Sequence, residues 1–289
     1  FTFHFNNILE ILINYLKNRR YNLLIKMKTN FEKVVDFNNC FSHKVSKTLY
    51  ENIFSKEPKL VDLRLKLIKE EIDELHQAFK IYDIVEIIDA LADILYVVYG
   101  LCAAFGINID VFYRDFIVNN LQQNEHYKIS GNLTNFELTQ LLVPKNDNLV
   151  LKNFIENCKN LDYKNDLIIN LKDISEYYDK IELGCYHEDF EMITEYILLL
   201  IRDTYSFGLK INVNLNDAFN IVHNSNMTKI CDNEELAKET VSWYLSKNKV
   251  YDSPIYKETE YGYIIMNDST GKILKSIKYT PANFSSLLI

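Results

Sequence analysis

Residues 84–105 constrain the fold more than any other stretch. In the run Ile84-Val85-Glu86-Ile87-Ile88-Asp89-Ala90-Leu91-Ala92-Asp93-Ile94-Leu95-Tyr96-Val97-Val98-Tyr99, continuing to Phe105, three acids are the only charges. On a helix they fall at i, i+3 and i+7, one stripe on an otherwise apolar cylinder. Such a helix belongs in a core, where carboxylates are costly unless a cation or a partner compensates them. The preceding helix, expected over 59–80, carries Glu70, Glu71 and Glu74 on the side bordering its apolar stripe Ile68, Ile72, Leu75 and Phe79. Two facing acid stripes make a candidate site for a hard divalent metal. A salt-bridged helix face is the competing explanation and needs basic residues at i+4 spacing. None occurs between Lys80 and Arg114. Lys69 and Asp73 lie elsewhere on the first helix and read as solvated charges.

The 289 residues, 48% of them hydrophobic, suffice for a substantial core. Seven Gly and four Pro suit long helices with short connections better than a turn-rich β protein. The net charge of −8 argues against a broad nucleic-acid surface. Cys40, Cys102, Cys158, Cys185 and Cys231 are scattered without a CxxC pair, which points to a reducing compartment, taken as cytoplasmic. No run reads as a membrane span; the best, 94–105, is too short and follows Asp93. Residues 1–26 are apolar and aromatic with basic residues after the apolar run, so they read as a non-native or disordered extension and Met27 as the start of the mature protein.

Shifting the chain against itself by 102 residues (173 − 71 = 102) superposes Glu71 and Glu74 on Asp173 and Glu176. The same shift puts Glu86, Asp89 and Asp93 on Glu188, Glu191 and Glu195, and Phe105-Gly106 on Phe207-Gly208. This suggests one unit written twice. The first unit, 27–122, has expected helices over 31–45, 59–80, 83–105 and 110–122. The second, 148–230, has them over 149–160, 164–182, 187–207 and 215–227. Gly106 and Gly208 read as helix stops, residues 123–147 as a linker, and 231–289 as a helix at 234–246 followed by an extended tail. Arg202 and Asp203 interrupt the second apolar run, which makes the second acid set the weaker metal site.

Glu71-x-x-Glu74 followed by Asp89-Ala-Leu-Ala-Asp93-Ile-Leu-Tyr resembles the signature of the all-α nucleoside triphosphate pyrophosphohydrolases. These include MazG-like proteins, phosphoribosyl-ATP pyrophosphohydrolase and the dimeric dUTPases. Ser225-Asn226-Met227-Thr228-Lys229 and the tail from Gly271-Lys272 through Tyr279 and Pro281 to Phe284 resemble motifs of the phage and large-DNA-virus branch. Two departures stand out. Ala90 occupies the place of the family's glutamate three residues before the last Asp, so Asp89 must substitute. The Asn/Lys motif is missing at Gln122 to Glu125, where the repeat would put it.

The resemblance implies an all-α protein of two tandem four-helix MazG-like units packed as a pseudo-dimer, with a short C-terminal hairpin or extended arm. A homodimer of such pseudo-dimers is compatible with it, and no nucleic-acid or membrane partner is expected. It implies hydrolysis of a nucleoside triphosphate to the monophosphate and pyrophosphate, with Mg²⁺ as cofactor and Mn²⁺ able to replace it. Glu71, Glu74, Glu86, Asp89 and Asp93 would hold metal, Glu70 or Glu71 would act as base, and Asn226 and Lys229 would contact substrate. Lys229 could equally serve its helix dipole, and Lys272, Lys275 and Lys278 could form a solvated arm. Phe37, Tyr96, Tyr99 and Trp243 could stack on a base or belong to the core. His43, His76, His187 and His223 lack metal-ligand spacing and are given no role. The competing functions are phosphoribosyl-ATP hydrolysis and a non-catalytic helical oligomerisation module.

Overall fold

The computed structural model describes residues 28–110, 150–247 and 250–288; the expected helix over 110–122 beyond its first residue, the linker 123–147 and the extension 1–26 lie outside these residues. The fold is mostly helical, with one small two-stranded sheet near the C-terminus. The elements run α1 (Asn30–Cys40), α2 (Ile53–Lys56), α3 (Pro58–Ile81), α4 (Ile84–Phe105), α5 (Val150–Asn157), α6 (Leu161–His187), α7 (Phe190–Lys210), α8 (Leu215–Met227) and α9 (Glu234–Ser246). They finish with β1 (Pro254–Thr259), β2 (Gly262–Asn267) and a 3₁₀ turn at Ser285–Leu287.

Local chemistry sets these limits. Thr29 and Glu32 form a reciprocal capping box at the start of α1. Asp83, Asn160, Asp189, Asn214 and Asn233 cap α4, α6, α7, α8 and α9 by accepting from the first free amides. The α1 helix stops at Cys40, short of the expected 45, because Ser42 turns left-handed (φ 55°) and the His43 amide closes the turn on the Asn38 carbonyl at 2.7 Å. Gly106 ends α4 at φ 73°, where an added Cβ would lie 1.9 Å from the Thr48 carbonyl oxygen. Gly208 does not end its helix. It lies inside α7, which runs on to Lys210, and its missing side chain makes room for Leu215.

The bundle is built from two antiparallel helical hairpins, α3–α4 and α6–α7. Each turns through a left-handed residue followed by an Asp cap: Tyr82 and Asp83 in one, Glu188 and Asp189 in the other. These correspond at an offset of 106 residues (188 − 82 = 106), as do the left-handed residues Gly106 and Asn212 and the bonds Ile107 N–H to Cys102 and Val213 N–H to Gly208. The 102-residue register read from the acids is therefore one helical turn out. In the observed register Tyr177, Lys180 and Leu199 stand where the first hairpin has Glu71, Glu74 and Asp93.

The hairpins pack together through α3 on α6 and α4 on α7, and α1 and α8 cover α4 from the other side. One contiguous core results, with Ile68, Ile72, Leu91 and Leu95 from one hairpin and Ile174, Ile181, Ile193 and Ile197 from the other. Each such side chain contributes about 1.5–3 kcal/mol by leaving water. Phe79 meets Phe207 edge-on across the junction at 6.0 Å. The 22-residue α4 is long and apolar enough to cross a membrane, contrary to the sequence expectation that no run is; here it is the buried centre of the bundle. The C-terminal hairpin pairs Pro254 with Asn267 through Thr259 with Gly262, and Tyr263 bridges to Cys231. The tail then returns across the open end of α3, α4 and α8.

Candidate active site

Equal steps outward from the turn at Tyr82 and Asp83 bring Glu71 opposite Asp93 and Arg64 opposite Gly100. The α3 and α4 helices thus form two walls of a cavity of about 580 Å³. The α8 helix supplies a third wall, the α1 C-terminus the inner end, and the returning tail the roof. All eight residues singled out from the sequence (Glu70, Glu71, Glu74, Glu86, Asp89, Asp93, Asn226 and Lys229) line this one space.

Their environments differ. Glu71, Asp89 and Asp93 are half-buried, while Glu70, Glu74 and Glu86 are exposed. The acids are thus less enclosed than the apolar sequence of α4 suggested, because they face the cavity and not packed protein. Burial pushes the Glu71 carboxyl up to about 9, reinforced by Asp93, Glu74, Asp89 and Glu70. Burial and then Asp89 raise Asp93 to about 7, against the pull of Lys229. Burial, Glu86 and Glu74 raise Asp89 to about 6. Burial also raises Glu74, helped by Glu70 and Glu86. Lys229 is half-buried at the end of α8, and burial draws its ammonium down to about 8 although Asp93 pulls the other way. Glu70 is held by Lys272 of the tail, with Nζ to Oε2 at 2.6 Å.

Polar contacts fix the roof and one wall. Ser225 Oγ donates to the Thr280 carbonyl at 2.8 Å and lies 2.8 Å from the Tyr279 hydroxyl, while the Thr280 amide donates to Thr228 Oγ1 at 2.9 Å. Lys275 sits 4.8 Å over the Tyr279 ring. The tail is therefore docked and not a solvated arm over its first half, with Lys272 and Lys275 facing the acids. Asn226, 7% exposed, hydrogen-bonds the Tyr96 hydroxyl, which His223 Nδ1 also meets at 3.1 Å. Tyr96 stacks on Phe219 at 5.3 Å and lines the cavity with Phe37, whereas Tyr99 belongs to the core and Trp243 is exposed on α9.

Sequence reasoning missed the inner end, made by Arg64, Asn38 and His43. The signal was present: Arg64 lies on the stripe Val61, Ile68, Ile72, Leu75 and Phe79, where a charge has no apolar reason to be.

The second acid set does not assemble. Glu188 is an exposed left-handed cap residue outside the helices, Glu191 and Glu195 are exposed, and Glu176 pairs with Lys172 at 3.5 Å. Arg202 occupies the centre of that hairpin, bonded to Asp203 at 2.5 Å and to the Tyr177 hydroxyl at 3.1 Å. These acids are thus spread over exposed positions, and the hairpin's arginine is engaged by Asp203 and Tyr177.

Among the described residues no three His, Cys, Asp or Glu side chains converge closely enough to coordinate an ion as they stand. The chemistry of the first set nevertheless fits a hard cation: its donors are carboxylate oxygens, they repel one another, and among the described residues none but Glu70 has a cation in ion-pair contact. All five cysteines are free thiols.

Residues 34–120 match the family model described as phosphoribosyl-ATP pyrophosphohydrolase, whose members hydrolyse nucleotide pyrophosphate bonds. The uncharacterized protein L479 of Acanthamoeba polyphaga mimivirus is 33% identical over 264 residues, covering 90% of this chain and 96% of that protein. No solved structure matches the chain. With the acid-lined helical hairpin inside the matched segment, residues 34–120 form a phosphoribosyl-ATP pyrophosphohydrolase-family domain, consistent with the MazG-like superfamily, and the chain as a whole belongs to one family with its mimivirus relative.

Proposed function

We propose that this protein is a Mg²⁺-dependent nucleoside triphosphate pyrophosphohydrolase, cleaving between the α- and β-phosphates to give the monophosphate and pyrophosphate. The observation that carries the reading is the single cavity in which uncompensated carboxylates of α3 and α4 face Lys229, Lys272 and Lys275. Such a cavity suits a polyanion that arrives with its own cations. Glu71, Glu74, Asp89 and Asp93 would hold the metal, with Glu86 at the rim. When bound, Mg²⁺ polarises the phosphoryl oxygens, offsets charge on the departing pyrophosphate and returns neighbouring carboxylates to their ionised form.

The remaining work falls to this chain's side chains. Lys229 is placed to meet a phosphoryl oxygen from the α8 side, and burial strengthens that attraction relative to water. Lys272 and Lys275 extend the positive side along the roof, where the outer phosphates would lie. Water attacks the α-phosphorus and the bond to the bridging oxygen breaks; the water's proton passes to a carboxylate of α3. Glu71 is the better placed acceptor, since Glu70 is engaged by Lys272. Asn226 holds the Tyr96 hydroxyl and so fixes the wall along which the sugar would lie.

Pyrophosphate release from a panel of ribo- and deoxynucleoside triphosphates and phosphoribosyl-ATP, with Mg²⁺ and with EDTA, tests the proposal. Release only with Mg²⁺, lost in Glu71→Gln and Asp93→Asn, supports it. Wild-type rates in either variant would exclude the assigned site, and turnover of phosphoribosyl-ATP alone would replace the substrate.

A further inference from the structure

The inner end of the cavity differs in chemistry from the acid end. Arg64 is 4% exposed and Asn38 1% exposed, and both line the cavity. Arg64 Nη2 points at Asn38 Oδ1 at 3.5 Å, while Arg64 Nε and Asn38 Nδ2 have no hydrogen-bond partner among the described residues. Among the described residues no carboxylate lies within ion-pair distance of the guanidinium. Room for it is made by Gly100, where a Cβ would stand 2.7 Å from Nη1. A guanidinium stays charged under all ordinary conditions, and buried donors are nearly always satisfied. Two buried donors left without an acceptor, in side chains that line a cavity, therefore mark the place of an acceptor supplied from outside.

Arg64 precedes Glu71 by seven residues on α3, and Gly100 follows Asp93 by seven on the antiparallel α4. Two helical turns, about 10 Å, thus separate this end from the innermost acids. That is the order of the distance from a nucleotide's α-phosphate across its sugar to the far edge of its base. The intervening walls are flat and aromatic, Phe37 and Tyr96 meeting edge-on at 5.4 Å. His43 alongside is held neutral, its pKa drawn down to about 3 by burial, Arg64 and Lys229, so it adds no competing charge.

We infer that Arg64 and Asn38 form a base-reading subsite that takes a nucleobase edge carrying two adjacent hydrogen-bond acceptors. The inference rests on the nucleotide reading above and specifies the substrate class within it. Guanine offers O6 and N7, and cytosine O2 and N3, side by side; adenine would turn its amino group against the same donors. A phosphate subsite is the alternative for a buried guanidinium, but the roof lysines Lys272 and Lys275 lie at the other end, beside the acids.

Calorimetric titration of the full chain with GMP, CMP, AMP and UMP, and separately with inorganic pyrophosphate, tests this without turnover. Expected is at least about tenfold tighter binding of GMP or CMP than of AMP, the discrimination one bidentate pair supplies. That preference should disappear in Asn38→Asp, whose carboxylate would occupy the guanidinium from inside. The same variant should unfold at or above the wild-type temperature, so loss of binding could not be laid to misfolding; Arg64→Lys provides the second variant. Equal affinity for all four monophosphates, an unchanged preference in both variants, or binding of pyrophosphate alone that depends on Arg64 would each overturn the inference. So would failure of every monophosphate to bind, while pyrophosphate release from triphosphates decides the parent function independently.

Discussion

Replacing Glu71 by Gln should raise the stability of the metal-free protein while abolishing hydrolysis, and the gain should depend on pH. In the folded chain burial and four neighbouring carboxylates lift this carboxyl from 4.5 to about 9. Between those values the folded state holds a proton that the unfolded state has released, so stability falls as pH rises through the window. At pH 7 the deficit relative to a neutral isostere is about 3 kcal/mol at 1.36 kcal/mol per pH unit. Glu71 is only half-buried, and water reaching it screens this to roughly 1.5 kcal/mol. For a chain of this size that corresponds to about 3–6 °C in Tm. Thermal unfolding of both proteins in EDTA should therefore show no gap near pH 4.5, a clear gap at pH 7 and a wider one at pH 8.5. Millimolar Mg²⁺ should narrow or reverse the ranking, because the wild type alone keeps the full donor set. A variant less stable than wild type, or a gap equal at pH 5 and pH 8.5, would show that the carboxylates do not repel one another in the folded state.

Three further outcomes follow from other parts of the bundle. Arg202→Met removes the partner of Asp203, whose side chain is 9% exposed, and should cost about 2–3 kcal/mol in urea unfolding; pyrophosphate release at 25 °C should be unchanged, since that hairpin carries no acid site. Gly106→Ala forces a side chain onto a left-handed residue and into the Thr48 carbonyl, and should destabilise by about 3 kcal/mol, read from the same urea midpoints. Lys272→Met should change stability by less than about 1 kcal/mol, because its pair with Glu70 is solvent-facing. Steady-state kinetics should instead show a raised KM and a weaker salt dependence.

The pattern of residues 59–105 announced both helices of the site hairpin to within a residue or two, because every signal agrees there. The apolar period and a Gly stop at Gly106 point to the same boundaries, and the structure adds the cap at Asp83. In the second hairpin they disagree. Gly208 looks like Gly106 in sequence, yet the stop is made four residues later by Asn212 at φ 60°, and Gly208 instead admits Leu215. Acids matched at a spacing one turn short therefore seemed to align, although a surface acid carries no register information and a cap does. Read from the caps, the second hairpin keeps the buried positions of the first (Ile174 for Ile68, Ile193 for Ile87, Tyr205 for Tyr99) and puts Tyr177, Lys180 and Leu199 where the first has Glu71, Glu74 and Asp93. The core pattern repeats because both hairpins must bury the same stripe against each other. The acids are free to diverge, and only one cavity is roofed by the Lys272 to Phe284 tail. The second hairpin thus serves as the scaffold that lets α4 be buried on one side and acidic on the other, and a chain truncated before α6 should fail to hold the α3–α4 carboxylates in place even with every one of them present.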